Sequence, residues 1–364
     1  MGHKYQAIQW NGNKLVYDAY VVIAGVAFLG AFFFVGLAPH PSGHAADPVV
    51  LAIRALGSAA FVFLTIILAI GPLARLSRRF LPLLYNRRHL GVFTFLIALA
   101  HFGLATLWYH GGGPLNPLVS LIVSGQPGDP FPGVPFELLG LAAFAILFVM
   151  ASTSHDFFLN HLGAPVWKAI HMGVYIAYGL IVLHVAYGYL ATEAGPLAPA
   201  LVYGSFTGLA GLHVASGLAE WRKDGAMSGR KGPFGRDWIE IGDPTRIPDG
   251  CAVIAPLPRG DRVAIFRDGR SLYAVQNACR HQNGPLGEGA LIDGLITCPW
   301  HGWQYSPRNG VSPAPFSERI ATHDLRLESG VLFVSARPNP LGREGATVAI
   351  GGAIVGGYNG DAAP

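Results

Sequence analysis

Polar and apolar positions follow two different rules along this chain. Up to about residue 220 the apolar residues come in long unbroken runs, near Val16 to Leu37, Val50 to Ala74, His89 to Tyr109, Val134 to Ala151, Val166 to Leu190 and Leu197 to Glu220. Each is close to the ~20 residues that a helix needs to cross a bilayer. Beyond Trp238 the runs shorten to β-type stretches, Arg262 to Arg267, Leu272 to Val275, Leu291 to Thr297 and Val331 to Val334, punctuated by Gly, Pro and Asp. The pattern predicts a membrane all-α six-helix bundle over residues 1–222, a basic Gly-rich linker over 223–236, and a small all-β domain over 237–337. The Gly- and Ala-rich tail, 338–364, is expected to be loosely ordered. The first apolar run is too long for a signal peptide and no Ala-x-Ala follows it, so it reads as a retained helix.

Composition agrees with a bilayer setting. Over 364 residues, 51% are hydrophobic and 13% charged, with a mean hydropathy of +0.40, well outside the ordinary soluble range. The net charge of +4 and pI near 9.0 do not imply a nucleic-acid partner, because the basic residues sit in short connections between apolar runs. Lys4 and Lys14 precede the first run; Arg75, Arg78, Arg79, Arg87 and Arg88 fill the second connection; Lys168 marks the fourth; Arg222, Lys223, Arg230, Lys231 and Arg236 follow the sixth. The other three connections carry no Lys or Arg. The positive-inside rule then puts both termini in the cytoplasm, as for a multi-pass protein of a bacterial inner (plasma) membrane. Trp10, Trp167 and Trp221 on one side and Trp108, Tyr109, Tyr187 and Tyr189 on the other suit the two interfacial aromatic belts.

The densest chemistry lies in the β region. Cys279-Arg280-His281 is followed, after sixteen residues, by Cys298-Pro299-Trp300-His301. Two thiolates and two imidazoles in paired short turns suit a 2Fe-2S cluster with both Cys on one iron and both His on the other. A Cys2His2 zinc site is the alternative for the same ligand types, although zinc fingers usually pair like with like along the chain. The longer text, Asn277 to Gln282 with Gly287-Glu288-Gly289, then Thr297 to Trp303, resembles the Rieske domain family. That resemblance implies a Rieske 2Fe-2S cluster on Cys279, His281, Cys298 and His301. High-potential members carry an extra Cys in each loop and a Ser that donates to the cluster. This chain has Asn283 and Gly284, Trp300, and Trp303 at those places, which predicts a potential near roughly −150 mV. The leftover Cys251 fits a reducing compartment.

Ionisable residues inside membrane spans are costly and mark function by default. His101 falls in the third run, His171 and His184 in the fifth, His213 in the sixth, and His89 at the cytoplasmic mouth of the third. His171 and His184 are 13 residues apart, about 20 Å on a helix, and His89 and His101 are 12 apart, about 18 Å. The third and fifth spans run the same way, so His89 would match His171 in depth and His101 would match His184, a ladder for one or two haems b. Asn86 to Gly91 with His101, and Ser152-Thr153-Ser154 through Leu162-Gly163 to Trp167 to His171, Val174-Tyr175 and His184, resemble the ferric-reductase-like transmembrane family. Within it they are similar to the haem-binding membrane subunits of bacterial periplasmic methionine sulfoxide reductase systems. The resemblance makes His101, His171 and His184 haem ligands. His89 stands where that branch usually has an apolar residue, and His213 competes with it for the inner site.

Members of this superfamily that are ferric reductases carry a flavin and nicotinamide domain after the helices, and this chain has no Gly-x-Gly-x-x-Gly after a strand. The expected donor is therefore a separate cytoplasmic flavoprotein reductase or ferredoxin, and the acceptor is ferric iron, a quinone or a periplasmic partner oxidoreductase. Two rival readings remain at this level. One is a Rieske-dependent membrane oxygenase using His155, Asp156 and His161 as an iron triad; the other is a zinc-stabilised binding module.

Overall fold

The computed structural model describes residues 12–37, 47–84, 86–125, 135–192, 197–227, 234, 237–258, 261–281, 283–300 and 302–351. It divides into a helical unit and a unit that holds the β-strands.

In the helical unit the apolar runs become α1 (Gly12–Gly36), α2 (Pro48–Leu76), α3 (Arg87–His110), α4 (Glu137–Ser152), α5 (Asp156–His171), α6 (Val174–Tyr187) and α7 (Leu197–Met227). Among the described residues, five spans are long and apolar enough to cross a membrane: Lys14–Gly36, Pro48–Leu76, Arg87–His110, Val166–Ala191 and Ala198–Arg222. The fourth run is a shorter helix of 16 residues, Glu137–Ser152, and residues 126–134 ahead of it lie outside the described set. The fifth run is not one smooth helix. α5 ends at His171 and α6 starts at Val174, because Gly173 donates to the Ile170 carbonyl at 3.0 Å in a tightened turn. A Cβ at Gly173 would meet that carbonyl at 2.9 Å and Ile146 Cγ2 at 3.2 Å, so only glycine turns here while packing on α4. On an unbroken ideal helix, 13 residues would set His171 and His184 about 140° apart; the break at Gly173 resets that phase.

The helices pack around Phe61, Leu64 and Leu68 of α2, Ala143 and Leu147 of α4, Ala177, Tyr178 and Val182 of α6, and Val202 and Leu209 of α7. Phe61 stacks on Tyr178 at 5.6 Å, and Tyr178 shares a 3.0 Å hydrogen bond with Thr65. Outward, α1 presents Ile23, Val26, Phe34 and Val35, all more than half exposed. A continuous apolar exterior of this kind is stable only against lipid or another apolar surface. α7 runs on to Met227, into the stretch expected to be linker; residues 228–233, 235 and 236 lie outside the described set.

The β unit is a seven-stranded antiparallel sheet in the order β1-β9-β8-β4-β3-β2, with β10 on β4, and a three-stranded sheet β5-β6-β7. The strands are β1 (Trp238–Gly242), β2 (Ala252–Pro256), β3 (Arg262–Asp268), β4 (Ser271–Gln276), β5 (Ala290–Ile292), β6 (Leu295–Thr297), β7 (Gln304–Tyr305), β8 (Thr322–Glu328), β9 (Val331–Pro338) and β10 (Val348–Ala349). Side chains alternate between two cores. Val263 and Ile265 face one that includes Leu272, Leu332 and Val334; Ala264 and Phe266 face another that includes Leu286, Ile296, Tyr305 and both motif cysteines. Each fully buried large aliphatic or aromatic side chain there contributes ~1.5–3 kcal/mol.

Two expectations change. Leu291 to Thr297 is not one strand but the hairpin β5-β6, turned by Asp293 (φ 53°) and Gly294 (φ 76°), the positive-φ pair that a two-residue hairpin selects. The front of the expected loose tail, residues 339–351, is packed. β10 pairs with Leu272 and Ser271 of β4, Val348 is 2% exposed, and Asp324 accepts from Asn339 Nδ2 and from the Ala346 amide. A lone buried valine and a carboxylate collecting donors anchor it, neither of which stands out in a Gly-rich sequence. Residues 352–364 lie outside the described set.

Candidate metal centres

The cysteine motifs lie on two loops, one after β4 and one between β6 and β7. In the first, the Cys279 amide donates to the Gly284 carbonyl (2.9 Å) and the Asn283 amide to the Cys279 carbonyl (2.7 Å). In the second, the Cys298 amide donates to Trp303 (2.8 Å) and the Gly302 amide to Cys298 (2.8 Å). Asn283 (φ 60°) and Gly302 (φ 70°) make the turns. The loops meet at Gly284, where a Cβ would lie 2.8 Å from Cys298 Sγ, and Asn277 ties the first loop shut by accepting from the Gly287 amide at 2.7 Å. Cys279 and Cys298 are each 2% exposed. Two buried thiols brought together by a glycine contact, with His281 at their edge, fit the Cys pair and first imidazole of a Rieske cluster. The fourth expected ligand, His301, lies outside the described residues.

One donor to this centre escaped the sequence reading. Tyr305 Oη lies 3.4 Å from Cys279 Sγ and accepts from the Arg280 amide at 3.0 Å. Burial, reinforced by the neighbouring Cys279, pushes the phenol above its usual range; toward a metal-bound Cys279 sulfur, which carries no proton, the hydroxyl would be the donor. At the place where high-potential relatives carry the donating Ser, Trp303 lies flat on His281, with ring centroids 4.5 Å apart and planes 13° from parallel.

The intramembrane histidines share one local arrangement. His101 Nδ1 bonds the Ile53 carbonyl of α2 (2.9 Å), His171 Nδ1 the Trp167 carbonyl of its own helix (2.9 Å), and His184 Nδ1 the Phe136 carbonyl at the start of α4 (3.2 Å). A carbonyl accepts only, so each Nδ1 carries the proton and each Nε2 keeps a lone pair, the tautomer that binds metal. Small residues clear room for two of the rings. A Cβ at Gly57 would lie 2.9 Å from His101 Cε1, and a Cβ at Gly140 2.9 Å from His184 Cε1 and Nδ1. The Nε2 of His171 is buried with no hydrogen-bond partner among the described residues, and Trp167 stacks on its ring at 3.7 Å. Neutral imidazoles with a free Nε2 lone pair are residues that would hold haem b.

The two contested histidines are used differently. His89 Nδ1 contacts Asp18 Oδ2 of α1 at 2.8 Å, and Asn86 Nδ2 donates to the other oxygen at 2.6 Å. His213 engages both nitrogens, Nδ1 with the Leu209 carbonyl (3.0 Å) and Nε2 with the Tyr175 hydroxyl (3.1 Å). Of the rival iron triad, His155 and His161 are exposed, and the Asp156 side chain lies outside the described residues. Sequence reading also passed over Arg54, which lies next to Ile53 in α2 with its guanidinium 5.0 Å from the Tyr189 ring centroid. A cation inside an apolar run is itself the signal that could have found it.

Comparison with known proteins finds two domains in this chain. The chain matches the family models described as "Ferric reductase like transmembrane component", over residues 56–182, and "Rieske [2Fe-2S] domain", over residues 237–324. The heme-binding subunit of protein-methionine-sulfoxide reductase from Bordetella pertussis is 33% identical over 206 residues, 56% of this chain and 90% of that protein. Magnetosome protein MamZ of Paramagnetospirillum magneticum is 34% identical over 139 residues, 38% of this chain and 20% of its own length. A chain from a solved complex of reduced oxygenase and oxidized ferredoxin in carbazole 1,9a-dioxygenase is 20% identical, covering 29% of this chain and 99% of its own, with a TM-score of 0.28. With nine-tenths of the Bordetella protein matched, the chain belongs to the family of heme-binding subunits of protein-methionine-sulfoxide reductase, and it carries a Rieske [2Fe-2S] domain as well.

Proposed function

We propose that the protein conducts electrons across a bacterial inner membrane, from a reductant on the cytoplasmic side to an acceptor on the far side. Cys279, His281, Cys298 and His301 would hold the 2Fe-2S cluster, and His101, His171 and His184 would hold haem b, each group supplying one-electron redox capacity when bound. The observation that carries the reading is the shared state of the three histidines. Each has its Nδ1 proton committed to a main-chain carbonyl, and glycines stand where two of the rings need space.

The residues themselves orient, insulate and tune. Carbonyls of Ile53, Trp167 and Phe136 hold the imidazole planes; the apolar packing of α2, α4, α6 and α7 keeps water from them; Tyr305 donates toward Cys279. The Lys and Arg distribution supports cytoplasmic termini, and so a cluster on the cytoplasmic side. The donor is then a soluble flavoprotein reductase or ferredoxin. The name of the Bordetella relative favours a partner oxidoreductase that reduces protein methionine sulfoxide as the acceptor, ahead of ferric iron or a quinone.

Haem quantification on detergent-purified protein, from the dithionite-reduced spectrum against protein concentration, tests the proposal. Two haems per chain support an inner and an outer site, and one supports His101 with His184 alone. Protein without haem in freshly isolated membranes overturns the relay.

A further inference from the structure

Trp303 joins the two ligand loops. Its carbonyl accepts from the Cys298 amide at 2.8 Å, so its backbone belongs to the second loop. Its ring lies on His281 of the first, with centroids 4.5 Å apart and planes 13° from parallel. The indole is 3% exposed and held on two further sides. Nε1–H donates to Ser312 Oγ at 3.0 Å, and Phe316 leans on the ring with centroids 4.5 Å apart at 51°. Ser312 is 4% exposed and anchored in turn, its amide donating to the Glu318 carbonyl at 2.9 Å.

A metal-bound imidazole needs its ring plane fixed by something behind it, usually a hydrogen bond to the far nitrogen. Here a flat aromatic wall covers one face of the ring, and that wall is itself prevented from rotating by the Ser312 hydrogen bond. We propose that Trp303 is the positioning residue that sets the ring plane of His281, with Ser312 as the lock on the indole. This rests on the cluster assignment of the preceding section. The stack also keeps water off the covered face, so the imidazole has little room to reorient when the charge of the centre changes.

The test uses the full-length protein in detergent and reads nitrogen hyperfine couplings of the ligating imidazoles by pulsed EPR on the reduced centre, beside iron and sulfide content. Trp303→Leu should shift one of the two imidazole couplings and leave the other unchanged at undiminished iron content. Trp303→Phe, which retains a stacking face, should restore most of the native coupling. Ser312→Ala should broaden the same coupling as the indole gains a second setting. Native couplings in Trp303→Leu at full occupancy would overturn the inference. If Trp303→Leu loses the centre, a native, unbroadened coupling in Ser312→Ala would overturn it as well. A wild-type protein with no Rieske EPR signal would instead remove the cluster assignment, which separates that failure from this one.

Discussion

The helical and β units hold their candidate ligands by opposite means. In the helices each candidate histidine is placed singly, its Nδ1 held by one carbonyl that for His101 and His184 comes from another helix, and those two rings fill room left by Gly57 and Gly140. In the β unit the ligands come from two short loops that are hydrogen-bonded within themselves and wedged together at Gly284. The first design depends on how helices pack, the second on local turn chemistry. Damage should therefore spread differently in the two.

The largest effect should come from His184→Ala, which is expected to lower haem content sharply while leaving cluster iron unchanged; joint loss of both would show that the two units are not separate modules. Gly140→Val tests the packing side without touching a ligand. Its branched side chain would enter space held by the His184 ring, so haem content should fall with the helices still formed, as followed by reduced spectra and far-UV circular dichroism. In the β unit, Tyr305→Phe should retain the cluster and lower its potential. One hydrogen bond of about 1 kcal/mol converts, at ~59 mV per tenfold for one electron, to about 40 mV, readable by EPR-monitored titration.

A smaller effect is expected from pH. Burial holds the His323 imidazole below its ordinary pKa, outweighing its Ser335 carbonyl bond. The folded form thus binds fewer protons than the unfolded one. Its contribution is fully present above the unfolded value of about 6.5 and is lost as pH falls from there toward the folded value. The thermal midpoint followed at the cluster absorbance should drop across that window, and His323→Gln should flatten the drop. His89→Leu is expected to have the least effect on haem content, because His89 is already paired with Asp18 on α1; a loss as large as that of His184→Ala would instead make it a ligand.

Legibility followed the same division. Cys279 to His301 announces its chemistry within one short stretch, and the apolar runs mark the helices by length alone. What the sequence hid was non-local. Nothing in the text around Asp18 indicates a histidine 71 residues later, and Gly57 and Gly140 look like any other small residue in an apolar run until the rings beside them are seen. Tyr305 lies only two residues past Trp303, yet its role depends on a sulfur across the loop. The Asp293-Gly294 turn is legible as a hairpin pair, but the residues on either side make one continuous β-type run that masks it.

The break at Met172 and Gly173 separates the two histidines of the fifth span onto different helical segments. A single rigid rod would force any insertion, deletion or twist near one ring to swing the other around the axis. With a joint between them, the aim of each ring is set by its own segment.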